Sequence, residues 1–421
     1  MINMANLERK LTEICNLDLD SICETPIVSP DSKKIAYPIK STGWFSPGRK
    51  VFINGHTHEN YQGVSGLVFS PDSQHIAYVA MKKHGMIVVR DNKEISDEYE
   101  DISRSTPIFS PDSQHLAFGA KRGNKWFAVK DGIEEIPHNG FVAGSMTFSP
   151  DSKLAYGYFE GQLIGRLQIG GKTIVMDDGN KIAEYDKGRG ESLVEKSVLY
   201  SPDSKTLAYG AVRNGKHFVV IDGKEEKPHD KISEKICFSP DSKRYGYATI
   251  DNGIWSMILD GKKDKEYQGI GWHLFSPDSK SFAYHAFDNS GGLVIFNGKE
   301  KRKYPGGILS QFYGFSPDSK HFAYGVERGY DQFAVLDDIE HKKYSGIPQI
   351  SLSFSPDSKH LVYAANKNNR SMTIVVNNNE LDTDINLVLG ASFVFDSPDK
   401  FHTLVISKNK IYRLDVEVMS R

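Results

Sequence analysis

The chain has 421 residues, a formal net charge of −2, 39% hydrophobic and 25% charged residues, ordinary values for a globular protein, with no global charge to draw it to nucleic acid or to an anionic membrane. No run reaches the eighteen or more apolar residues of a membrane-spanning helix, and Met1 to Leu19 carries no apolar signal core. Only three cysteines occur, Cys15, Cys23 and Cys237, without CxxC spacing, which fits a reducing compartment and a cytoplasmic location; a periplasmic chain relieved of its leader would read the same.

In chain order, the first strong signal is Ser29-Pro30-Asp31, and it recurs. The prolines of this tripeptide fall at 30, 71, 111, 150, 202, 240, 277, 317, 356 and 398. Ten copies at a period near forty mark a repeat architecture, in which each unit completes its core against its neighbours. Around each copy the same order of elements is expected. A short apolar run, such as Ile236-Cys237-Phe238, leads into the turn, where proline presets φ and aspartate bonds its own backbone. A large-small-large strand follows: Ile76-Ala77-Tyr78, Leu116-Ala117-Phe118, Leu207-Ala208-Tyr209, Tyr245-Gly246-Tyr247 and Phe282-Ala283-Tyr284. Its period of two gives one bulky and one shallow face, and the bulky face of one sheet can nest on the shallow face of the next. A third strand ends in Asn-Gly or Asp-Gly (Asn54-Gly55, Asp131-Gly132, Asp260-Gly261, Asn297-Gly298), the signature of a type I′ hairpin turn. A charged fourth strand such as Lys262 to Tyr267 protects the outer edge. The repeat therefore reads as a four-stranded antiparallel meander, and the whole as an all-β, closed β-propeller of ten blades.

Two places depart from the rhythm. Pro150 and Pro202 are 52 residues apart, and the excess lies within Tyr158 to Glu195 as an insertion in blade 4. The last repeat ends without a clear fourth strand, whereas spare sequence precedes the first. Cys15 to Leu19 alternates like a strand and is expected to complete the last blade, leaving residues 1–14 as an N-terminal extension and 15–421 as the propeller. Residues 5–14 also satisfy a short helix, with Leu7, Leu11 and Ile14 on one face.

On these residues the chain resembles the WD40-like, TolB-type (PD40) β-propeller repeats, whose motif is commonly written φ-x-F-S-P-D-G-x-x-φ-A-[YF]. The match spans residues 15–421, with the last copy slipped by one residue in Phe395-Asp396-Ser397-Pro398-Asp399. Ser or Lys stands in place of the family's glycine, as in Ser32, Ser73, Ser319 and Lys400, so the turn lacks its easiest left-handed residue. The resemblance implies the fold; family members include periplasmic scaffolds and the gating propellers of prolyl-oligopeptidase-like enzymes, so it does not choose an activity.

Direct signs of chemistry are few. Gly63-Val64-Ser65-Gly66 lacks the spacing of a nucleophile elbow. The channel-lining strands, including Leu67-Val68-Phe69, Val198-Leu199-Tyr200 and Trp272-His273-Leu274-Phe275, contain no Asp or Glu of the kind a glycosidase pair requires; His273 is their one ionisable residue, read as a hydrogen-bonded structural histidine. His56 and His58 share a strand face without a third ligand for zinc, and the turn aspartates cap backbone rather than gather the six to eight oxygens of a calcium site. Basic outer strands (Lys262, Lys263, Lys265, Lys299, Lys301, Arg302, Lys303, Lys342, Lys343) are interspersed with Asp264, Glu266, Glu300 and Glu340 and read as a protected rim rather than a phosphate-tracking groove. No cofactor, metal, nucleic acid or membrane is expected.

In such a meander the first and third turns share one face of the disc. The second turns and exit loops share the other, where the sequence varies, and recognition concentrates on loops of that kind. Arg122, Arg213, Trp272 and Tyr330 are the candidate binding residues there, being of the types that dominate interfaces; Asn369-Arg370 belongs to the same set of turns. The leading expectation is a monomeric, non-enzymatic scaffold binding protein or peptide through this variable face. A small-molecule or glycan-binding propeller, or an enzyme of unrecognised type, using the channel mouth is the alternative.

Overall fold

The computed structural model describes residues 6–16, 22–41, 48–164, 167–348, 352–368, 371–381, 385 and 387–419. These form ten separate antiparallel sheets, the blades of a propeller. Blade 6 shows the plan in full, with strands Lys231–Phe238, Tyr245–Asp251, Ile254–Leu259 and Lys262–Tyr267. First strands of neighbouring blades run beside one another around the ring, so they line the channel. Elsewhere the fourth strand is often cut to two residues, as in Lys93–Glu94 and Ile339–Glu340. In blades 3, 4 and 5 the first strand is itself split; blade 3 has Asp101–Ile102 and Ile108–Phe109.

Blades stack through the large-small-large strand. Its central small residue is fully buried in Ala36, Ala77, Ala117, Ala155, Ala208, Ala283 and Ala323. That residue meets the next blade's bulky side: Ala283 packs with Phe322 and Tyr324, and Ala323 with Leu361 and Tyr363. Gly246 takes the same place in blade 6, where a Cβ would stand 3.0 Å from the Phe282 ring. Tyr37, Tyr78, Phe118, Tyr156, Tyr247, Tyr284, Tyr324 and Tyr363 fill the bulky sides and are among the largest fully buried side chains. Rings of this size contribute much of the core energy.

The Ser-Pro-Asp-Ser turns explain the missing glycine. The second serine adopts left-handed backbone throughout, with φ from 49° at Ser32 to 67° at Ser152, a conformation that costs about 1–2 kcal/mol for a non-glycine residue. Its hydroxyl accepts the aspartate N–H of the preceding blade: Asp31 to Ser73 at 2.9 Å, Asp151 to Ser204 at 2.9 Å, Asp278 to Ser319 at 2.9 Å and Asp318 to Ser358 at 3.0 Å, with three further equivalents. The first serine, buried, donates to the aspartate carboxylate (Ser316 to Asp318, 2.6 Å) and accepts the N–H of the residue just before the second strand (His321, 3.0 Å). At blade 4 the turn is one residue shorter and Ser152 Oγ finds no partner.

The ring closes with the N-terminal segment, as expected, but earlier in the sequence. Asn6–Asn16 pairs antiparallel with Lys410–Met419 from Asn6↔Met419 to Asn16↔Lys410, so the helix allowed over 5–14 is not formed; the edge of Lys410–Met419 offers ladder partners that outweigh the helical pattern. Of Cys15 to Leu19, Cys15 and Asn16 end this strand and the rest lies outside the described residues. Blade 10 then meets blade 1 through Leu404 and Ile411 against Ile35 and Tyr37, and His402 Nε2 donates to the Asp31 carbonyl at 2.7 Å. The blade 4 excess becomes a hairpin of two eleven-residue strands, Leu154–Ile164 and Leu167–Asp177, plus a short 3₁₀ turn at Lys187–Arg189.

The relay bond and the backbone strain have opposite signs in a serine-to-glycine exchange, whereas alanine keeps the strain and loses the bond. Ser319→Ala is therefore expected to destabilise by about 2 kcal/mol and Ser319→Gly by less than about 1 kcal/mol, read from urea midpoints. Glycine proving as costly as alanine would refute this assignment of the strain.

Candidate functional site

The two faces are built as the turn grammar dictates. On one, the Asx residue of the third turn caps the second strand's opening amide, as when Ile76 N–H donates to Asp91 Oδ1 at 3.0 Å and Phe322 N–H to Asp337 Oδ1 at 3.0 Å, locking first and third turns together. The second turns and exit loops occupy the other face.

On that variable face the predicted residues are dispersed over four blades and differ in availability. Arg122 ends the second strand of blade 3 and is held by Glu134 at 2.9 Å and Asp97 at 3.2 Å, over the Tyr99 ring. Arg213 repeats this in blade 5, with Glu191 and Glu225 each at 2.8 Å and Phe218 beneath. Arg328 does so again in blade 8 with Glu340 at 2.6 Å. An arginine paired with a glutamate twelve positions on is thus a staple between second and fourth strands. Trp272 lies not in an exit loop but inside the first strand Gly269–Phe275; it is 4% exposed, stacked 4.2 Å from Tyr313, with Nε1 donating to the Leu309 carbonyl at 3.3 Å. Phe312 likewise falls in a strand and is buried. Tyr330, 99% exposed, stands free at the tip of a second turn. Asn369-Arg370 lies outside the described residues.

Among the described residues, a concavity on this face sits elsewhere, where blades 2, 3 and 4 meet the channel. A cleft of about 670 Å³ is lined by Ser65, Gly66, Val79, Met86, Asp101, Ile102, Ser103, Arg104, Ser105, Thr106, Trp126, Phe141 and Ala143. A second, of about 320 Å³, shares Ser65, Val79 and Met86 with it and runs on to Arg49 and Glu24. The cleft's floor is the break in blade 3's first strand. Thr106 folds the chain there, its N–H and hydroxyl both donating to the Ser103 carbonyl, at 3.1 and 2.8 Å. Ser145 and Ser197 make the same hydroxyl bond in blades 4 and 5, at 2.8 and 2.7 Å. Trp126 meets Phe141 edge-on at 6.1 Å, an apolar wall. Arg104 is exposed at the crown of the turn and has no hydrogen bond or ion pair among the described residues. The sequence carries no distinctive trace of this site: the polar run Ser103-Arg104-Ser105-Thr106 has counterparts in Glu195-Lys196-Ser197 of blade 5 and Ser233-Glu234-Lys235 of blade 6.

His273 is 1% exposed and packed as a structural residue, with the backbone of Gly271 and Lys235 beside its ring nitrogens, though neither contact reaches full hydrogen-bond geometry; buried His285 has no partner on either nitrogen. Burial, reinforced by the Lys235 charge, pushes His273 down to about 3, and burial takes His285 to about 4. Among the described residues one group has metal-like proximity: Asp396, His402 and Asp415, with ligand atoms within 4.8 Å of one another. Its atoms are already engaged. His402 Nδ1 lies 2.6 Å from Asp396 and its Nε2 donates to Asp31, while Arg413 holds Asp415 at 2.7 Å. An internal cation and a bridging imidazole fill it as a clasp between blades 10 and 1. His56 and His58 have no third ligand among the described residues.

No family model matches the chain, and no curated protein matches it. Among solved structures, a eukaryotic initiation factor is similar at 13% identity over 78% of this chain and 89% of its own, with a TM-score of 0.47. The Dos1 propeller is similar at 14% over 84% and 92%, TM-score 0.39, and TolB from Acinetobacter baumannii at 18% over 59% and 60%, TM-score 0.29. At these values none assigns an activity.

Two outcomes follow from the buried groups. An unfolded histidine titrates near 6.5; a folded value depressed to 3–4 means its contribution is fully present above about pH 6.5 and is lost as pH falls toward 4. Urea midpoints should therefore decline over that window, and less steeply in His273→Phe. His402→Ala should cost about 1–2 kcal/mol by removing a fully buried imidazole that bridges Asp396 and the Asp31 carbonyl, while a chelator leaves the wild-type midpoint unchanged; a chelator-induced fall would show a metal in the clasp.

Proposed function

We propose that the protein is a non-enzymatic propeller scaffold that binds a protein or peptide partner through its variable face, at the groove between blades 2 and 4. The observation that supports this reading most is the pair of adjoining clefts, open to solvent, with an aromatic and methionine wall beside a hydroxyl-rich floor. A volume of about 670 Å³ is within the range of ligand sites, and methionine walls adapt to varied side chains. The rigid frame of stacked blades gives loops the preorganisation that recognition needs. Tyr330 adds a solvent-facing aromatic across the disc, whereas Arg122, Arg213 and Trp272 act by shaping the loops they brace.

Affinity capture from the source cell's lysate tests this. Partners held by the native protein should be lost, by tenfold or more, in Trp126→Ala and reduced in Tyr330→Ala, yet retained in Lys320→Glu on the opposite face. Equal loss in the opposite-face variant, or no capture by any, would overturn the reading and favour a small molecule at the channel mouth.

A further inference from the structure

Most arginines among the described residues are satisfied internally. Arg49, Arg90, Arg122, Arg189, Arg213, Arg244, Arg302, Arg328 and Arg413 each lie within 4 Å of a carboxylate. Among the described residues only Arg9, on the outer closing strand, and Arg104 do not. Arg104 is also the one of these at a concave site, set on a turn that Thr106 fixes through two bonds to Ser103. The nearest acidic lining residue, Asp101, is turned to its own backbone, accepting the Ile102 N–H at 2.9 Å, and makes no ion pair with Arg104. A guanidinium presents a planar fork that matches a carboxylate in two parallel hydrogen bonds. The hydroxyls of Ser65, Ser103 and Ser105 line the same cleft and suit the remaining oxygens and the amides of an extended chain. Trp126 and Phe141 line the same cleft, an apolar wall with no charge to satisfy.

We infer that the groove takes an extended peptide segment in which an Asp or Glu lies next to a large apolar residue, the carboxylate on Arg104 and the apolar side chain against Trp126 and Phe141. This rests on the partner-binding reading above and adds the chemistry of the partner. The charge complement argues for an acidic segment, and the length of the two joined clefts, continuing toward Arg49 and Glu24, argues for a chain rather than a compact anion.

The test uses a random twelve-residue peptide display library panned against the full-length native protein, Arg104→Glu and Trp126→Ala. Native protein should enrich peptides pairing Asp or Glu with Leu, Ile, Phe or Trp. By fluorescence anisotropy those peptides should bind Arg104→Glu at least tenfold more weakly, and added salt should weaken native binding. Arg104→Glu panned afresh should select Lys or Arg in place of the acidic residue. Peptides that bind and are lost in Trp126→Ala, yet show no acidic preference and no change with Arg104→Glu, would overturn this inference while leaving the partner-binding reading intact. Absence of any enriched peptide, or binding indifferent to both variants, would overturn both. Arg104 is exposed and unpaired, so its exchange leaves the fold in place, which urea midpoints check.

Discussion

Seven junctions of this propeller are tied, blade to blade, by one backbone amide and one serine hydroxyl. The serine must sit in left-handed backbone to present that hydroxyl, and glycine, which would adopt the conformation without strain, has nothing to present. The local cost and the junction's gain are of similar size, about 1–2 kcal/mol against about 0.5–1.5 for the bond plus the penalty of an orphaned donor. What tips the balance is burial of the turn between blades. The same reasoning explains the carboxylates: hydrogen bonds first from the Ser316 hydroxyl and then from the Lys320 amide hold Asp318 down to about 2, so the turn remains an acceptor over the whole neutral range.

Where the relay is interrupted, the chain substitutes other chemistry. Blade 10 has Lys400 where the serine belongs, and its neighbour contacts it through His360 Nε2, 3.1 Å from Asp399. At the final junction His402 reaches the Asp31 carbonyl, in a cluster completed by Asp396, Arg413 and Asp415. Each of these replacements uses a long side chain because the slipped motif moves the turn away from its neighbour. The proximity of an imidazole to two carboxylates there is thus a consequence of ring closure.

The fold was legible because its determinants are local and repeated: Pro-Asp fixes a turn, Asx-Gly a hairpin, and an alanine between two large residues declares both faces of a strand. Closure was legible as a need for a strand, though its position was not, since Asn6–Asn16 is chosen by pairing with Lys410–Met419 rather than by its own alternation. The candidate site was legible far less. Trp272 and Arg213 have the composition of interface residues, but whether such a side chain meets solvent or is held within the fold is settled by its contacts: for Trp272, Tyr313 on the next blade, and for Arg213, Glu191 and Glu225 of its own blade. Nothing in the sequence singled out Arg104; its lack of a partner among the described residues is a property of three blades together.

The closing strand pair carries a further consequence. Because Asn6 faces Met419 at one end of the ladder and Asn16 faces Lys410 at the other, the outermost described residues of the two strands lie side by side at the same end. A force drawing those residues apart loads the ladder's bonds one after another, as in opening a zipper, rather than all at once in shear. The ring is therefore mechanically weakest at the junction that completes it. Tension at that end of the ladder would open blade 10 first, while the serine links of the other blades remain unloaded.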